Sequence, residues 1–132
     1  MSDKLNIHKL SRKIDFWTFL ERAFEKNVKI DIGHFKIISI FLDVMEFYES
    51  LSKDISKKEA RKTLEKEGIF SKNSEYISGE YLKNHIDRDS RVAVHNRIND
   101  LRKLEFVIET KPGPLGGYKL LKTPKWFLSE NS

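Results

Sequence analysis

The apolar positions of this chain repeat mostly at helical spacing, with short extended runs toward the C-terminal end. From Leu10 to Lys26, Leu10, Ile14, Trp17, Leu20 and Phe24 form one apolar strip, and Phe16, Phe19 and Ala23 form a second beside it. Nearly half the circumference of that helix is hydrophobic, so it has to cover itself against something. Val28-Lys29-Ile30-Asp31-Ile32 then alternates until Gly33 breaks the pattern, as either a short strand or an extended linker would. Phe35 to Leu51 predicts a second long helix, with Ile37, Ile38, Phe41, Leu42, Met45 and Tyr48 on a broad buried face. Ser56 and Glu59 have capping-box spacing and Gly68 suits a C-terminal stop, which bounds a short charged helix from Lys57 to Glu67.

Between Tyr76 and Leu121 the pattern becomes more specific. Ser78 suits the cap of a short helix, Gly79 to Ile86, with Tyr81, Leu82 and Ile86 as its apolar positions. Asp87-Arg88-Asp89-Ser90 has the composition of a tight turn, and either Asp89 or Ser90 suits the cap of the next helix, which runs to about Leu104. Val94, Ile98 and Leu101 make its buried stripe. At about 100° per residue the opposite face carries Val92, His95, Asn96, Asn99 and Lys103, with Arg91 and Arg102 on one flank. Two extended runs follow, Phe106 to Thr110 and Tyr118 to Lys122, joined by a Pro- and Gly-rich loop from Lys111 to Gly117. Tyr76-Ile77 suits a small strand pairing with them. The order is helix, turn, helix, hairpin: a helix-turn-helix followed by a wing.

The spacing Val94-x-x-x-Ile98-x-x-Leu101 followed by Phe106-Val107 resembles the recognition helix and first wing strand of winged helix-turn-helix transcriptional regulators, the MarR-like and related families of bacteria and archaea. Gly116-Gly117-Tyr118-Lys119-Leu120 is similar to the second wing strand in several of them. The resemblance covers about a third of the chain and implies a DNA-binding domain. It has one departure. Those families usually place Gly after the recognition helix, where a left-handed residue turns the chain into the wing, and this chain has Glu105.

Charge and composition narrow the reading. The chain has 132 residues and a net charge of +5. Residues 88–125 carry nine basic residues against four acids, a balance equal to that of the whole chain. A Lys- and Glu-rich surface is also what heat adaptation produces, so this charge argues for nucleic acid only beside the helix-turn-helix. There are no cysteines, hence no disulfide and no thiolate metal site. His8, His34, His85 and His95 lack metal-binding spacing, and no nucleophile elbow or P-loop is present. We therefore expect no catalysis, no cofactor and no metal. No apolar run approaches the roughly 20 residues of a membrane span, and no leader pattern precedes the first helix, so a cytoplasmic location is expected.

The expected fold is mainly α with a small β-wing, a winged helix-turn-helix with an extra N-terminal helix. Residues 1–33 form a helical arm for dimerisation, and residues 34–128 form the DNA-binding domain with a helical insertion at about 53–75. Arg91, His95, Asn96 and Asn99 suit base contacts in a major groove, and Arg88 and Lys103 suit phosphates, with Ser90 at the helix start. Lys111, in the wing loop, and Lys119 bracket that loop with charge. Ile14, Trp17, Leu20 and Phe24 suit a homodimer interface that would space two recognition helices on double-stranded DNA. The sequence names no small-molecule effector. The alternatives are a winged-helix protein–protein interaction module in a larger assembly, or a replication or plasmid-maintenance initiator.

Overall fold

The computed structural model describes residues 15–86 and 90–127. Its elements are α1 (Phe16–Glu25), α2 (Ile32–Asp54), α3 (Lys57–Lys66), β1 (Ile77–Ser78), α4 (Gly79–His85), α5 (Arg91–Lys103), β2 (Val107–Lys111) and β3 (Gly117–Lys122). The fold is mainly helical, with a small three-stranded antiparallel sheet in the order β1-β3-β2. Residues 10–14 of the expected first helix, Ile14 among them, lie outside the described residues, as do Asp87, Arg88 and Asp89 of the turn.

Most boundaries follow from local chemistry. Ser56, Ser78 and Ser90 cap α3, α4 and α5, each accepting from a free backbone N–H of the first turn. The start of α2 differs from the sequence expectation. It begins at Ile32 rather than Phe35, and Gly33 lies within its first turn instead of breaking the chain. The reason is a reciprocal cap: the Asp31 carboxylate accepts from the Gly33 and His34 N–H groups, while the Asp31 N–H donates to His34 Nδ1 at 2.9 Å. Histidine in place of Glu at that third position hides the motif from a search for the usual residues. Residues 28–31 are a linker, not a strand.

Three helices end in the same way. Val28 N–H bonds to Ala23, Ile69 to Leu64 and Phe106 to Leu101, while Asn27, Gly68 and Glu105 close the inner turn. Each end is a Schellman motif, with φ of 56° at Asn27, 80° at Gly68 and 77° at Glu105. Each apolar pair joining the last turn to the exit is buried. Glycine accepts this conformation freely and asparagine tolerates it, but glutamate meets a Cβ clash. Glu105→Gly is therefore expected to stabilise the fold by several tenths to about 1 kcal/mol, net of the extra freedom that Gly gives the unfolded chain. The urea midpoint should rise; a fall would show that Glu105 bears no strain.

The core joins α2, α4 and α5 under the sheet. Ile37, Phe41, Leu82, Ile86, Val94, Ile98 and Leu101 are buried, and Ile108, Tyr118 and Leu120 close the inner face of the hairpin. Pairing Ile108 with Leu120 and Thr110 with Tyr118 keeps the apolar side chains on that face. The strip of Phe19 and Ala23 buries α1 against the domain. Phe19 meets Phe35, Trp126 and Phe127, and Phe106 meets Trp126 and Phe127, with ring centroids 4.8–6.2 Å apart. The aromatic turn at the far end, Pro124 to Phe127, thus packs into the chain's own core, and the Phe127 carbonyl accepts from Asp15 N–H at the start of α1.

Candidate nucleic-acid interface

The helix α5 is clamped on two flanks, and its third side faces outward. On the flank toward the sheet, Arg102 donates to the Ile108 carbonyl from Nε and Nη2, at 3.1 and 2.8 Å, and to the Thr110 hydroxyl at 2.6 Å. Two turns earlier His95 Nδ1 meets the Tyr118 hydroxyl at 3.0 Å. Arg91 reaches the Pro114 carbonyl at 3.2 Å and Glu80 at 3.6 Å, which ties the start of α5 to both the wing loop and α4. The wing is therefore oriented by the helix beside it.

The other flank meets the start of α2. Arg97 donates to both Asp31 carboxylate oxygens, at 3.0 Å from Nε and 2.8 Å from Nη2. This guanidinium crosses Gly33 so closely that a Cβ there would fall 2.5 Å from Arg97 Nε, which is the tertiary reason for glycine in that first turn. His34 is buried, and its Nε2 lies 2.9 Å from the Asp100 carboxylate. The His34 ring therefore bridges two carboxylates, with Nδ1 also 3.0 Å from Asp31 Oδ1. Hydrogen bonds from Arg97 hold the Asp31 carboxyl well below the usual carboxylate range, against the opposing cost of burial.

Between these flanks, Val92, Asn96 and Lys103 are exposed and Asn99 is half-buried, and His95, on the sheet-side edge, is exposed as well. Arg102 Nη1 donates to Asn99 Oδ1 at 2.8 Å, so the Asn99 side chain offers its NH2 group. Ser90, at the cap, marks the end from which a helix enters a groove. The structure thus brings Ser90, His95, Asn96, Asn99 and Lys103 onto or beside one surface, with Arg91 at its edge. Arg88 lies outside the described residues.

Two other basic candidates, Lys111 and Lys119, lie elsewhere. Lys111 donates to the Lys72 carbonyl at 3.3 Å, so its ammonium turns toward the loop before β1. Lys119 alternates with Tyr118 to the other side of β3, where it donates to Glu75 at 3.2 Å. Tyr48 also donates to Glu75, at 2.7 Å, and these partners lower the Glu75 carboxyl; burial and that neighbouring carboxylate push Tyr48 up to about 12. Much of the positive balance of residues 88–125 is consequently spent inside the molecule. Arg97 and Arg102 are positioning residues whose partners lie in other elements, and of these two sequence reasoning placed Arg102 only on a flank. The glycine at position 33 was the one local sign of the Arg97 crossing.

Among the described residues no helix is long and apolar enough to cross a membrane, and no group of three or more His, Asp or Glu is placed to hold a metal.

A family model described as an HTH (helix-turn-helix) domain matches residues 62–119, from inside α3 through α4, α5 and the hairpin into β3. The match includes much of the segment that the sequence suggests as an insertion. An uncharacterized protein of Methanocaldococcus jannaschii is 57% identical over 113 residues, covering 86% of each chain. No solved structure matches the chain.

Proposed function

We propose that this chain, which belongs to one family with the Methanocaldococcus jannaschii protein and carries a helix-turn-helix domain, binds double-stranded DNA sequence-specifically as a homodimeric transcriptional regulator of the cytoplasm. The observation that carries this reading is the outward face of α5. It is capped, clamped on both flanks, and presents exposed Asn96 and Lys103 outward, with His95 exposed at its sheet-side edge. Side chains on a rigid helix hold their geometry, which base readout requires. The unit begins in α3, where the domain match starts, with α4 and α5 as the two helices of the helix-turn-helix, α5 as its recognition helix and the hairpin as its wing.

The dimer reading rests on α1. Its inner strip is buried, but Trp17 is 78% exposed, Leu20 42% and Phe24 87%. These three share one face at i, i+3 and i+7, an apolar surface of the kind that a second copy covers. Two α5 helices one turn of DNA apart would then read a palindromic site.

Titration of the full chain with duplex DNA at rising salt tests the first part. Affinity should fall steeply, and Lys103→Ala should reduce the logarithmic slope by about one unit, as the loss of one phosphate contact would. A salt-insensitive interaction would favour a protein-binding module instead. For the dimer, Trp17→Glu should sediment as a monomer with its helical circular dichroism intact. A wild-type chain that sediments as a monomer would remove this part of the reading.

A further inference from the structure

The recognition surface has a chemical bias that goes beyond DNA binding as such and rests on that reading: we infer that α5 reads A·T base pairs, with Val92 against a thymine methyl and Asn96 on an adenine about two base-pair steps away. In the major groove the N7 and O6 acceptors of guanine are met by Arg or Lys, the N7 and N6 edge of adenine by Asn or Gln, and the thymine methyl by an apolar contact. Each described arginine of α5 is held on a flank: Arg91 by Pro114 and Glu80, Arg97 by Asp31, Arg102 by Ile108 and Thr110. Lys103 stands in the last turn, beyond the N-terminal positions that reach base edges, where a phosphate is its partner.

Beside His95, whose Nδ1 is engaged by the Tyr118 hydroxyl, the entering end presents an amide and an apolar group. Asn96 is exposed, and its amide carries the donor–acceptor pair that adenine complements. Val92 is 68% exposed in the middle of an otherwise polar face, where solvation gains nothing from two methyl groups but a thymine methyl does. The two lie four residues apart on one side of the helix, about 6 Å of rise, against about 3.4 Å per base-pair step. Asn99, its carbonyl taken by Arg102, adds only a donor and suits a base acceptor such as thymine O4.

Selection of bound duplexes from a random pool by the full chain should return a core in which a thymine and an adenine recur at that spacing. Replacing the enriched thymine by deoxyuridine removes its methyl group. This should weaken wild-type binding about fourfold, and binding by Val92→Ala by no more than about twofold. Replacing the enriched adenine by 7-deazaadenine should weaken wild type about tenfold and leave Asn96→Ala unaffected. Both positions are exposed, and the base analogues act on an unaltered protein, so folding does not enter the comparison. A guanine-centred core whose preference disappears in Arg91→Ala would overturn the inference. So would equal sensitivity of wild type and Val92→Ala to deoxyuridine. Binding without enrichment overturns base reading but leaves backbone binding standing, whereas no DNA binding at low salt removes both.

Discussion

Phe127→Ala is expected to cost about 3–5 kcal/mol of folding stability, the range for deleting a fully buried phenyl ring. Phe127 has no exposed surface, and its ring centroid lies 4.9 Å from that of Phe106 and 6.0 Å from those of Phe19 and Trp126. The site cannot collapse easily onto the space left. Phe19 is held by α1, and Phe106 by the Schellman turn at the end of α5. Total stability for a domain of this size is about 5–15 kcal/mol, so the loss is a large fraction of it. It should appear as a fall in the urea midpoint at unchanged slope. The same substitution should loosen α1, because the Asp15–Phe127 backbone bond and the aromatic cluster tie that helix to the C-terminal turn. A loss below about 1 kcal/mol would mean that the turn is an appendage outside the core.

The second large effect is at Asp31, where one carboxylate caps α2 and holds Arg97. Asp31→Ala is expected to destabilise by about 2 kcal/mol, about half from the cap and the rest from an ion pair that water partly screens. Asp31→Asn separates the two parts. The amide oxygen still caps, while the charge facing Arg97 is gone. Because Arg97 depresses the folded carboxyl, the unfolded chain binds more protons than the folded one near pH 4. The charge contribution is therefore complete above about pH 5 and is lost as pH falls through the unfolded value near 4 and beyond. Unfolding of wild type and Asp31→Asn across that window should show their difference shrinking on acidification. A difference independent of pH would show that Arg97 contributes packing and not charge.

That ion pair also bears on function. It joins the start of the longest helix to the flank of α5, while Arg102 joins the other flank to β2. Both arginines lie in the segment whose positive balance suggested DNA, yet each has its guanidinium turned to a partner within the protein. Charge counted along a sequence overstates the charge a surface presents, because Arg is also the side chain best suited to bracing one element against another.

The sequence by itself determined what neighbours a few residues apart can decide. The helices show in their apolar spacing, and Ser56, Ser78 and Ser90 announce three of their starts through side chains that bond one turn ahead. The wing follows from two short extended runs around a loop that neither helix nor strand accepts. Even the left-handed turn at Glu105 is legible, as the position where the regulators that the sequence resembles carry Gly. Tertiary structure alone decided which strip of α1 is buried, because both strips are equally apolar and only the position of the C-terminal aromatics selects Phe19 and Ala23 over Trp17 and Phe24. It likewise decided that Arg97 meets Asp31 and His34 meets Asp100, each 66 residues away. Such pairings leave no periodic trace, since a long-range hydrogen bond constrains the residue type at its two ends and nothing between them. The outward face of α5 belongs to both levels. Spacing nominates it, and only the clamps on either side show which of its side chains remain open.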